Sequence, residues 1–168
     1  MGLFDKAKGF FGGKGMADVL ITVIEGQAAD GATFPVTDSV LKGTMVITAK
    51  QACTLLATKY ELSLRIPNET GSDIDHYVTS EKDPDPNTSY DDSCLKLPCD
   101  MTPGQVIEQP WMISDVDLPK ALKDNGFADA NAATQDPKVK LVVKCIADVK
   151  GSPFDPSAET IVRMLPGS

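Results

Sequence analysis

Residues 39–66, SVLKGTMVITAKQACTLLATKYELSLRI, alternate side-chain type with period two for longer than any other part of the chain. That period demands extended backbone, because successive side chains of a strand point to opposite faces while a helix repeats every 3.6 residues. In the second half Leu56, Tyr60, Leu62, Leu64 and Ile66 share one parity, and Lys59, Glu61, Ser63 and Arg65 share the other. In the first half Gly43, Met45, Ile47 and Ala49 oppose Thr44, Thr48 and Lys50, with Val46 as the exception. The pattern predicts two consecutive strands, joined by a turn at Lys50, Gln51 and Ala52, each with one buried and one wet face. Such strands belong to antiparallel sheets with one solvated side.

The rest of the chain adds strands at turn-like intervals. Asp18 to Glu25 is apolar on both parities and rich in β-branched residues, which predicts a strand covered on both sides. Val106 to Ile113 reads as a strand, but Pro110 inside it cannot donate to a ladder, so an edge position is expected. Val139, Leu141, Val143, Cys145, Ala147 and Val149 form the longest apolar parity, and a hairpin through Gly151 to Pro156 returns as Glu159 to Leu165. A short helix is expected from Pro119 to a stop at Asn125 and Gly126. Seven to nine short strands with turns between them predict an all-β fold, an immunoglobulin-like antiparallel β-sandwich with a short N-terminal amphipathic helix. At 168 residues a single sandwich over 17–168 is expected, with irregular insertions at about 67–100 and 124–137.

The formal net charge of −8 argues against nucleic acid as a partner, since phosphate binding needs a basic surface. The charge is concentrated. Between Glu69 and Asp100 nine acidic side chains face two basic ones, so this segment carries almost the whole excess. The first sixteen residues differ again: Leu3, Phe4, Ala7, Phe10 and Phe11 fall on one helical face, with Lys6 and Lys8 elsewhere on the wheel. Two roles stand open for that segment, packing on the sandwich or a partner subunit, and lying on anionic lipid. No apolar run reaches the length of a membrane span, and the few cysteines with no secretory signal before them point to free thiols in the cytoplasm.

Few side chains are spaced for chemistry. His76 stands alone among acids, without partners at the spacing of a triad or a zinc site. Cys94 and Cys99 are too far apart for a Cys-x-x-Cys redox pair, and Cys145 lies on a core parity. Asp83, Asp85, Asn87, Ser89 and Asp91 have the rhythm of a calcium loop. Thr88 stands where that loop needs glycine and Cys94 where it needs a bidentate Glu, so a solvated acidic loop through Asp83, Asp85, Asn87, Asp91 and Asp92 is expected instead of a metal site. No phosphate loop, nucleophile elbow or paired carboxylates appear, so neither an enzyme nor a cofactor is expected.

A family resemblance rests on short motifs. Asp38 to Ile47 with the following Tyr60 to Leu64 strand looks like the strand pair of arrestin-like sandwiches. Met101 to Gln105 with Trp111, Met112 and Ile113, and the ending Leu141 to Leu165 with Ala147-Asp148-Val149 and Phe154-Asp155-Pro156-Ser157, resemble the bacterial sporulation-control proteins. The opening Gly2-Leu3-Phe4 has a counterpart there too. The resemblance implies an arrestin-like sandwich acting as a cytoplasmic regulator or scaffold without catalysis. Ala158 departs from the family's second Asp, and one sandwich is expected where the family has two. The expectation is an adaptor that binds protein partners by a sheet edge or the acidic loop, with peripheral membrane contact through residues 2–11. The alternatives are a self-associating structural subunit, a homo-oligomer, and a sandwich that binds Ca²⁺ or carbohydrate weakly.

Overall fold

The computed structural model describes residues 16–22, 27–28, 31–84 and 96–167. Among the described residues ten strands form two packed sheets. The smaller contains β1 (Ala17–Thr22), β4 (Leu41–Ala49) and β8 (Val106–Ile113) in the order β1-β4-β8. The larger runs β2 (Gln27–Ala28), β3 (Gly31–Pro35), β10 (Ser157–Leu165), β9 (Lys140–Val149), β5 (Cys53–Pro67) and β6 (Asp73–Asp83), with β7 (Cys99–Met101) also on β5. All pairings are antiparallel except β3 with β10.

The two alternating strands of residues 39–66 are there, but they are not neighbours in one sheet. β4 pairs with β1 and β8, and β5 pairs with β9, β6 and β7, so the turn at 50–52 crosses from one sheet to the other. Two strands that each bury one parity can lie side by side or face each other across a core, and alternation alone does not distinguish the two. Here they face each other. Met45 and Ile47 of β4 and Tyr60, Leu62 and Leu64 of β5 all belong to the single buried cluster. Each fully buried aliphatic side chain of that cluster contributes about 2 kcal/mol.

The parity of β5 breaks once. Its register against β9 shifts between Leu55 and Ala57, which buries Leu55 completely and leaves Leu56, expected inside, only half-buried. An extra residue at a bulge turns the strand over by one side chain. In the stretch expected to be irregular from residue 67, the structure has the eleven-residue strand β6. Asn68 starts a tight turn there, its Oδ1 accepting from the amides of Thr70 and Ser72, both at 2.9 Å. β8 is an edge strand of the smaller sheet, as Pro110 requires.

Two helices lie after β8, α1 (Leu118–Asp124) and the single turn α2 (Ala130–Ala133). Asp117 caps α1 by accepting from the Lys120 amide at 3.0 Å, and Gly126 closes it at φ +92. Leu118 and Leu122 on its inner face are fully buried in the core.

Candidate functional site

β6 and β7 occupy the same side of β5, end to end. β6 pairs along Thr58–Pro67 and β7 along Cys53–Leu55. Asp83 lies opposite Thr58 and Cys99 opposite Leu55, so the chain leaves this lane and rejoins it about 10 Å along β5, at about 3.3 Å per residue. The two described ends that flank residues 85–95 are therefore close together in one edge lane, like two feet. Of the acidic positions singled out in the sequence, Asp83 is one foot. Asp85, Asn87, Asp91 and Asp92 lie outside the described residues, as do Leu3, Phe4, Lys6, Lys8, Phe10 and Phe11 of the amphipathic segment.

Both feet are tied to β5 by side chains. At the outgoing foot the Tyr60 phenol donates to Asp83 Oδ2 at 3.0 Å, and its oxygen lies 2.6 Å from the buried Thr58 hydroxyl. Since the phenol has one proton and gives it to the carboxylate, the Thr58 hydroxyl is the donor of the shorter bond. Burial pushes the Tyr60 phenol far above its usual range, against the Thr58 hydrogen bond, which favours ionisation; Asp83 adds to the rise. At the returning foot the Thr54 hydroxyl donates to Asp100 Oδ1 at 2.7 Å. From the opposite sheet Trp111 stacks on Tyr60 with ring centroids 5.8 Å apart.

A bulge aims the acids of β6. Leu62 faces Thr79 and Ser63 faces Tyr77, which leaves Val78 as the extra residue. Opposed residues of an antiparallel pair share a face, so Thr79, Glu81 and Asp83 lie on the face of Leu62, Tyr60 and Thr58, toward the other sheet. Glu81 Oε1 accordingly accepts from the hydroxyl of Ser114, just past β8, at 3.0 Å. Asp73, Asp75 and Tyr77 lie on the outer face with Pro67, Arg65 and Ser63.

On that outer face Arg65 is the centre. Its Nε and Nη2 donate to the two oxygens of Asp75 at 2.7 and 2.9 Å, and Nη1 and Nη2 donate to Glu159 at 2.8 and 3.0 Å. The paired carboxylates hold the guanidinium above its usual range, and Arg65 draws the Asp75 carboxyl below its own. Ser63 and Ile161 flank Val142 in register, while Arg65 and Glu159 sit one step to either side of that row, on opposite neighbouring strands. The ion pair thus crosses over Val142, which explains an outward-parity valine that is only 2% exposed. Sequence reasoning placed Arg65 on the wet parity but had no signal for its partners.

The other candidates do not assemble. His76 is half-buried on the inner parity of β6, and Cys99 carries a free thiol, as do Cys53 and Cys145. Burial pushes the Cys145 thiol well above its usual range, consistent with a small core side chain. Burial, and then neighbouring Cys99, raise Cys53. Among the described residues no group of three or more His, Cys, Asp or Glu could hold a metal ion, and no helix is long and apolar enough to cross a membrane. Gln109 Oε1 and Trp111 Nε1, two residues apart on the buried face of β8, are buried without a hydrogen-bond partner among the described residues.

No protein-family model and no curated protein sequence matches the chain. Among solved structures, the sporulation control protein Spo0M from Bacillus subtilis superposes with a TM-score of 0.54 at 16% identity, over 90% of this chain and 50% of that one. The likeness is one of fold. The molecule is an all-β, arrestin-like sandwich. The chain spans about half the length of the Spo0M chain it matches.

Proposed function

We propose that this protein is a non-enzymatic regulatory adaptor of the sporulation-control kind, working in the cytoplasm by binding protein partners. The supporting observation is the contrast between a regular arrestin-like scaffold and the one lane shared by β6 and β7, whose facing ends, on either side of the acidic stretch 85–95, are both tied to β5. A regular sheet scaffold can hold a connecting segment out as a surface, and binding residues concentrate on such segments. The fold shared with Spo0M and the motifs near Trp111 and Phe154 agree with that role. Affinity capture from the native cell tests it: specific, saturable capture of a protein partner is expected, and none at physiological salt would overturn the reading.

The amphipathic segment at residues 2–11 adds a membrane contact to the proposal, with Phe10 and Phe11 entering the lipid boundary and Lys6 and Lys8 facing anionic headgroups. Flotation of the full chain and of a form lacking residues 2–13 with anionic liposomes decides this part. Full-length protein should float and the shortened one should not; equal behaviour removes the membrane role.

A further inference from the structure

The described strands at the sheet margins are not equally open to a new neighbour. β2 has two residues and β1 has six, while β8 has Pro110 within its eight. A proline in an edge strand blocks pairing. β6 differs from all three. It is eleven residues long and has no proline from Asp73 to Asp83, and β5 is its one strand partner among the described residues. Its outer half is open to solvent, with Ile74 42% exposed and Tyr77 68% exposed.

We propose that the free side of β6 receives an extended peptide segment carrying lysine or arginine at alternate positions, which adds a strand to the seven-stranded sheet. This rests on the adaptor reading above and names its surface. Main-chain hydrogen bonds along an open edge supply affinity in strand addition, and alternate side chains supply specificity. β6 carries four carboxylates, Asp73, Asp75, Glu81 and Asp83, against the single ammonium of Lys82. Arg65 holds Asp75, Lys140 stands 3.9 Å from Asp73, and Glu81 and Asp83 accept hydrogen bonds on the inner face. A cationic peptide therefore meets an acidic edge whose outer acids, Asp73 and Asp75, keep part of their surface in solvent. Asp73 and Asp75 share the outer face with Tyr77, whose exposed ring offers a cation a π face beside the acids. On the inner parity Ile74 gives an aliphatic partner residue something to cover. A second copy of β6 fits poorly, because each copy brings four acids against one lysine.

The test uses the full chain and a fluorescein-labelled, acetylated peptide alternating lysine and valine, followed by anisotropy. The peptide should bind. A glutamate-for-lysine version and a backbone N-methylated version should each bind at least about tenfold more weakly, and Tyr77→Lys should weaken binding of the first peptide by a similar factor without changing the melting transition. Absence of binding, or binding that survives N-methylation, overturns the proposal. So does a dimer in light scattering that Tyr77→Lys disperses, since the occupant would then be a second copy. Cross-linking in the native cell with wild type and Tyr77→Lys separates this inference from the adaptor reading. A partner captured equally by both overturns the edge site and leaves the adaptor; no partner with either, alongside peptide binding, overturns the adaptor and leaves the edge.

Discussion

Arg65 and Glu159, 94 positions apart in the chain, exchange two hydrogen bonds at 2.8 and 3.0 Å across the outer face of the larger sheet, directly over Val142. The pair fastens β5 to β10 across β9, and Asp75 extends the clasp to β6. One guanidinium thereby links three strands, β5, β6 and β10, passing over β9.

Arg65→Ala should lower stability by about 1–2 kcal/mol, a discounted figure because Asp75 and Glu159 are more than a third exposed. Part of the loss is the uncovering of Val142, so Arg65→Met, which keeps the stem, should recover some of it. Urea unfolding of the three proteins measures both effects. The pH dependence has a definite sign. Asp75 has a folded pKa below its unfolded one, so its contribution is present above about pH 4 and is lost as pH falls through the depressed value. Arg65→Ala should flatten that acid limb.

Tyr60→Phe removes the donor to Asp83 and the acceptor of Thr58 while keeping the ring on Trp111, and should cost about 1–2 kcal/mol. Because the folded phenol titrates above its unfolded value, its stabilisation is intact below about pH 10 and declines as pH rises beyond it. Of the three tyrosines, one should therefore ionise only as the protein unfolds in an alkaline tyrosinate titration, and Tyr60→Phe should abolish that late step.

Trp111 should respond less than Tyr60 to loss of its polar group. Its indole N–H is buried without an acceptor, so Trp111→Phe discards a donor that contributes no bond and keeps an aromatic ring against Tyr60. Stability should change by less than about 1 kcal/mol in either direction, whereas Trp111→Ala should cost about 3–5 kcal/mol through the cavity it leaves. Thermal melts of the two variants check the contrast.

Gly167 lies against Thr37, and its amide donates to Asn131 Oδ1 at 2.9 Å. A Cβ there would overlap the Thr37 methyl and hydroxyl. Gly167→Ala should cost about 1 kcal/mol, and Thr37→Ala in the same chain should recover most of it. A double-mutant cycle in urea reads the coupling.

Most of the strands were legible in the sequence because period-two burial is a local property. Leu141, Val143, Cys145, Ala147 and Val149 alternate with outward residues whether or not the neighbouring strands are known. Pro110 announced an edge strand for an equally local reason, the missing N–H. The extent of α1 was legible to within a residue, from Pro119 at its start and Asn125 and Gly126 at its stop, whereas its cap Asp117 was not. β6 was not legible over its length, since its parity is interrupted at Val78 and its acids have low strand propensity; only its pairing with β5 makes it a strand.

Residues 39–66 divide the two kinds of information. Their sequence by itself determined two half-buried strands, because alternation needs only an inside and an outside. Only the tertiary structure decided that the strands lie in opposite sheets across the core and that β6 and β7 share a single lane beside the second. Which strands become neighbours depends on closing one common hydrophobic core from distant parts of the chain. The Arg65 clasp and the Tyr60–Asp83 foot follow from that closure, since their partners meet only once it is complete.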